Sequence, residues 1–139
     1  MPEAPRTTTA RFRRWWRSRR VIVHDRSMEP TLLAGDRLYV DPAPARAGTF
    51  ERGDIVVVRD PEGSVPRLIK RIAALPGDEV GPDRARMPPG YLRVAGDSNE
   101  GSRDSSRFGP VAASEVEGVV WFRYAPSERR GPIDRPMLK

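Results

Sequence analysis

Apolar positions along this chain come in short runs rich in Val, Ile and aromatic residues, and each run is closed by Gly, Pro or Asp. Such runs predict strands bounded by turns. Val21-Ile-Val23 opens the series. Residues 27–33 read as a loop or short helical turn punctuated by Pro30. Ala34-Gly-Asp36 then turns into a strand over 37–40, and Arg52-Gly-Asp54 into one over 55–59. Asp60-Pro-Glu-Gly63 is a tight turn, so residues 67–72 return as the partner strand. Pro76-Gly-Asp78 turns again, residues 81–90 form a surface loop, and 91–95 form another strand. Residues 96–109 are rich in Gly and Ser, 112–117 fit one helical turn, and 118–124 are the last strand. The Gly-Asp turns recur without a fixed period. Half a dozen short strands at this spacing predict a mainly β fold: a small, twisted, antiparallel, barrel-like domain.

Composition agrees. Fifteen Pro and twelve Gly among 139 residues favour strands and turns over a helical bundle. The length is that of one domain. The longest apolar runs, Ile55 to Val58 and Val119 to Phe122, fall far short of the roughly 20 residues of a membrane-spanning helix. No secretory signal peptide is visible. The chain therefore reads as cytoplasmic or peripheral to a membrane.

The net charge of +6 is local. Residues 1–20 carry seven Arg against Glu3 alone, and 21–139 carry 18 basic and 18 acidic residues. This divides the chain into a basic arm without fixed structure (1–20), a catalytic-size domain (21–125) and a fraying tail (126–139). Within the arm, residues 11–20 interleave Phe12, Trp15 and Trp16 with Arg. That segment is either a solvated extension or a peripheral contact for a membrane surface. A neutral remainder argues against a broad phosphate footprint, so no specific nucleic-acid partner is expected. Nothing in the sequence fixes the oligomeric state.

The residue inventory narrows the chemistry. The chain has no Cys and a single His, so thiol catalysis is excluded and a metal centre is not expected. His24 lies three positions before Ser27 on an extended run, which suits a strand histidine better than a triad member. Of 25 basic residues only Lys70 and Lys139 are lysines. Arginine stays protonated, so it cannot serve as a base. Lys70 sits inside an apolar strand. Alternation places Leu68, Lys70 and Ile72 on one face and Arg67, Ile69 and Arg71 on the other. Burial disfavours the ammonium form, and a neutral amine can accept a proton from a serine hydroxyl. Position alone equally allows a lysine that snorkels to water.

Four segments carry a resemblance. Ser27-Met28-Glu29-Pro30-Thr31-Leu32, with Gly35-Asp36 after it, resembles the nucleophile box of the signal peptidase I family. Arg52-Gly-Asp-Ile-Val56 is similar to the Gly-Asp strand that follows, and Lys70-Arg71-Ile72 with Leu75-Pro-Gly-Asp78 to the general-base box. Gly96-Asp97-Ser98-Asn99 and Ser102-Arg103-Asp104-Ser105, closing on Phe108-Gly-Pro-Val111, resemble the final box. The order and spacing agree over residues 21–124.

The resemblance implies a Ser/Lys serine endopeptidase that acts on precursor proteins or peptides without cofactor or metal. It implies Ser27 as nucleophile and Lys70 as base. Ser102 would orient the Lys70 amine, and Asp104 would be a buried carboxylate paired with a cation, either Arg71 or Arg107. Met28, Leu32, Leu68 and Ile69 would line the pockets for small side chains before the cleaved bond. The Ser27 backbone N–H would be one oxyanion donor.

Three features depart from the family pattern. Bacterial members carry a membrane anchor before the nucleophile box, and Trp15-Trp-Arg-Ser-Arg-Arg20 cannot be one. The second oxyanion donor, a Ser or Thr two residues before the nucleophile, is Asp25 here, and a carboxylate accepts rather than donates. The last arginine is displaced by one, as Asp104-Ser-Ser-Arg107. Two substrate readings stay open: a general leader peptidase, or a soluble maturation protease resembling those of nickel superoxide dismutase. From other classes, a catalytically dead relative and a surface-binding module using the arm also stay open.

Overall fold

The computed structural model describes residues 8–98 and 110–133. It begins with helix α1 (Thr8–Arg17), strand β1 (Arg19–Ile22), strand β2 (Arg37–Asp41) and the short helix α2 (Ala43–Ala47). The hairpin β3 (Ile55–Arg59) and β4 (Arg67–Ala74) follows, then the ribbon β5 (Glu79–Val80) and β6 (Ala85–Arg86). Strands β7 (Tyr91–Ala95), β8 (Val111–Ala112), β9 (Val116–Ala125) and β10 (Gly131–Pro132) complete the chain.

The fold is mainly antiparallel β, as the sequence predicts. The main sheet runs β1-β2-β9-β3-β4-β7-β8, with β10 also on β9, and it forms no closed barrel among the described residues. The long β9 organises it. β2 covers one edge of β9, while β3 and then β10 cover the other, at Val119 to Val116 and at Phe122 and Arg123. Gly118 is needed at the β2 crossing, where an added Cβ would lie 2.6 Å from a Val40 methyl carbon and 2.8 Å from the Asp41 carbonyl oxygen.

Both faces of the sheet are covered. Alternation along β3 sends Val56 and Val58 into one apolar cluster, with Leu68, Ile72, Leu92, Val94 and Val119. It sends Ile55 and Val57 into the other, with Val23, Met28, Leu32, Leu38 and Val120. This two-sided burial explains why β3 is a continuous apolar run while β4, which alternates, is not.

The recurring Gly-Asp dipeptides are one device used three times. In Leu33–Asp36, Glu51–Asp54 and Leu75–Asp78 the Asp N–H donates to the first residue's carbonyl, and the Asp carboxylate accepts that residue's N–H. Gly35, Gly53 and Gly77 hold φ of 93°, 92° and 85°, which a side chain would strain. Each Gly-Asp then pairs with one buried residue, respectively Val23, Ile72 and Met87, through Gly N–H and Asp C=O.

Described residues on both sides of the central domain carry secondary structure. Residues 8–17 form α1, and β1 begins at Arg19, before the expected boundary at 21. The reason is a buried acceptor elsewhere, Asp41, which takes hydrogen bonds from Arg14 (2.9 Å) and Arg17 (2.8 and 2.9 Å). Past residue 125, Gly131 and Pro132 pair with β9, and Arg123 Nε donates to the Arg129 carbonyl at 2.7 Å.

Candidate active site

Ser27 lies in the loop between β1 and β2. Its neighbours Met28 and Leu32 are fully buried, joined by a Leu32 N–H to Met28 C=O bond of 2.9 Å, and they pin one helical turn to the core. Ser27 stays at the surface side of that turn. Its carbonyl accepts from the Ser98 N–H at 2.9 Å. Thr31 Oγ1 donates to Asp97 Oδ2 at 2.6 Å. The loop is thus tied to the segment just past β7.

That segment is tied to β4 in turn. Arg71 donates to Asp97 twice, from Nε at 2.8 Å and Nη2 at 2.7 Å, and its Nη1 donates to the Gly53 carbonyl at 2.8 Å. Arg123 braces the loop from β9, donating to the Thr31 carbonyl at 3.0 Å and to Asp36 at 3.1 Å; Arg129 pairs with Asp36 as well. Burial raises the Asp97 carboxyl, but the Arg71 and Thr31 hydrogen bonds outweigh it and hold the pKa below its ordinary value. Burial pushes the Asp54 carboxyl up to about 6 against the opposing charge of Arg14.

Lys70 lies at the residue before Arg71, and its side chain is 1% exposed. Leu68 and Ile72 on its face are buried too, and Val56 is its cross-strand neighbour. Of the two readings that position leaves open, the structure shows Lys70 withdrawn from water and not snorkelling.

Asp25 takes a position that the sequence did not reveal. Its Oδ1 accepts from both the Ser27 backbone N–H (3.0 Å) and the Ser27 hydroxyl (2.9 Å). One carboxylate oxygen thereby occupies the expected nucleophile and the expected oxyanion donor together.

The other expected site residues divide. Met28, Leu32 and Ile69 meet in one apolar cluster, whereas Leu68 belongs to the cluster on the opposite face of the sheet. Adjacent strand residues face opposite ways, so Leu68 and Ile69 are split by the pleat. Ser102 and Asp104 lie outside the described residues, as does Arg107. Among the described residues, Arg71, one of the two cations considered for Asp104, pairs with Asp97. Thr31, Asp97 and Arg123 went unassigned in the sequence reading. Thr31 and Asp97 do lie in the family boxes, Asp97 in a fourth Gly-Asp dipeptide, whereas Arg123 carried no signal.

Among the described residues, no helix is long and apolar enough to cross a membrane, and no group of three or more His, Asp or Glu could hold a metal ion.

Residues 9–86, more than half of the chain, match the family described as Signal peptidase, peptidase S26. The chain belongs to that family. It is 36% identical over 118 residues to the mitochondrial ATP-independent inner membrane protease subunit 1b of Arabidopsis thaliana, covering 77% of this chain and 70% of that protein. It is 31% identical over 121 residues to the mitochondrial inner membrane protease subunit 1 of Xenopus tropicalis, covering 81% and 72%. A shorter match, 41% over 59 residues, is to signal peptidase I P of Bacillus subtilis subsp. natto, covering 42% and 31%. Membership of S26 makes the chain a peptidase of the signal peptidase type; Ser27, Thr31, Lys70 and Arg71 fall within the matched span, and Asp97 lies after it.

Proposed function

We propose that this S26 member is a serine endopeptidase in which Ser27 is the nucleophile and Lys70 the general base, removing N-terminal leader segments from precursor proteins. The observation that carries the reading is the burial of Lys70 one residue from Arg71, whose partner Asp97 belongs to the segment that grips the Ser27 loop. A withdrawn lysine is costly to keep charged, and a neutral one is a competent base. Ser27 Oγ attacks the scissile carbonyl while Lys70 Nζ takes its proton. The amine then returns that proton to the leaving nitrogen. Water, deprotonated by Lys70, then attacks the acyl carbonyl; the bond to Ser27 Oγ breaks and Lys70 returns the proton to that oxygen.

In this scheme Asp25 must release the Ser27 hydroxyl and N–H before attack, so substrate entry includes opening that contact. The relatives named as inner membrane protease subunits and as a signal peptidase support leader removal over trimming of one dedicated soluble precursor.

The test is cleavage of a leader-bearing precursor by the purified chain. Ser27→Ala and Lys70→Met should each lower kcat by at least about a thousandfold with the fold intact by circular dichroism. Lys70→Arg should be equally inactive, because guanidinium holds its proton. Activity in Lys70→Met with loss in Asp25→Asn would transfer the base role to Asp25 and overturn the dyad.

A further inference from the structure

Helix α1 is mounted with its polar side inward. At about 3.6 residues per turn, Phe12, Trp15 and Trp16 share one face, and Arg14 and Arg17 share the opposite one. A surface helix of a water-soluble domain ordinarily turns its apolar stripe to the core. Here the arginine face does so: Arg14 and Arg17 converge on Asp41, whose side chain is 1% exposed, and Arg14 also lies over the Trp121 ring at 4.9 Å. The Ser18 hydroxyl completes the mount, accepting from Trp121 Nε1 at 2.8 Å and donating to the Arg14 carbonyl at 2.6 Å.

The aromatic face is left to solvent. Phe12, Trp15 and Trp16 are 56%, 42% and 69% exposed, and their rings touch one another at centroid distances of 5.6 to 6.1 Å. Arg11 and Arg13 flank this cluster, and Arg19 and Arg20 follow the helix, all four exposed. No acidic residue occurs between Glu3 and Asp25.

We infer that this face is a docking surface for an anionic phospholipid bilayer. Large aromatic rings prefer the depth of the headgroups, where an apolar body and wet edges are both accommodated. Arginines beside them meet lipid phosphates with paired donors. The mounting supplies a reason for the inverted helix: the ion pairs to Asp41 hold the aromatic face outward and fixed to the sheet, so binding does not have to order it. The rest of the chain is neutral, so the attraction is confined to this corner. The inference stands apart from Ser27 and Lys70 and concerns where the domain sits.

The experiment is flotation of the full chain with phosphatidylcholine vesicles, with and without phosphatidylglycerol. The chain should float only with the anionic vesicles and be released by high salt. Trp15→Ser combined with Trp16→Ser should weaken that binding about tenfold or more, with cleavage of a soluble peptide unchanged. Arg11→Gln with Arg13→Gln should remove most of the phosphatidylglycerol dependence. This second variant decides the matter if the first is misfolded by circular dichroism. A wild-type chain that stays at the bottom of the gradient overturns the inference, as does a tryptophan variant that floats equally well. Self-association in sedimentation velocity, or duplex DNA binding, that replaces flotation and is lost in the tryptophan variant would assign the face to a second copy or to nucleic acid instead.

Discussion

At the scale of single residues, Asp25 occupies the proposed nucleophile: its carboxylate accepts both the Ser27 hydroxyl's hydrogen and the backbone amide's. Both bonds are exposed to solvent, so opening them is a modest cost that substrate binding can offset. Asp25→Ser removes the acceptor and adds a donor where an oxyanion would form. It should therefore leave KM for a leader peptide nearly unchanged and preserve or raise kcat, measured in steady state. A large fall in kcat would mean that the carboxylate assists the reaction. The pH profile tests the other partner: kcat/KM should climb with pH as the buried amine of Lys70 loses its proton, and a profile flat from about pH 6 to 10 would contradict a lysine base.

At the scale of elements, the chain of contacts from β4 through Arg71, Asp97 and Thr31 to the Ser27 loop replaces what a continuous strand would do. Asp97→Ala should destabilise the fold by about 2 kcal/mol in urea titration, because it removes a paired carboxylate from a largely buried guanidinium whose other described partner is the Gly53 carbonyl. It should cost more activity than that loss of stability explains, since the loop loses its register on the sheet. The two perturbed carboxyls have opposite pH signatures. Asp97, depressed in the fold, stabilises above its unfolded pKa, and this contribution is lost as pH falls through the acid range. Asp54, raised to about 6, contributes stability at low pH that is lost as pH rises from about 4 to about 6. Melting temperatures of Asp97→Asn and Asp54→Asn followed from acid to neutral pH should each flatten the matching limb.

At the scale of the whole molecule, Asp41 is the junction between the sheet and the segment before it. It receives Arg14, Arg17 and the Ala43 N–H, the last at 3.0 Å. Burial alone would raise its pKa, but the Arg17 hydrogen bonds, the Ala43 amide and the two positive charges bring it below the ordinary value. Asp41→Asn keeps the Ala43 contact and weakens both arginines. Amide exchange over residues 8–17 should then speed up by an order of magnitude or more, read by mass spectrometry, while soluble-peptide cleavage holds.

Alternation and turn chemistry were sufficient to place the longer strands, because a period of two and a Gly-Asp turn are local properties; the two-residue strands β5, β6, β8 and β10 went unread. The same alternation put Lys70 on a buried face, and four short boxes identified its family. Alternation also set Leu68 and Ile69 on opposite faces, against the shared pocket lining that the resemblance implied; what local pattern could not say is that both faces carry an apolar core. Nor could it orient Arg71 or Arg123, because each finds partners across sequence separations closed only by the fold, such as the 26 residues between Arg71 and Asp97. The helix in the basic arm is the sharpest case. Read alone, residues 8–17 have too few intrinsic contacts to be held as a helix in water, and the order comes from a buried carboxylate at the end of β2.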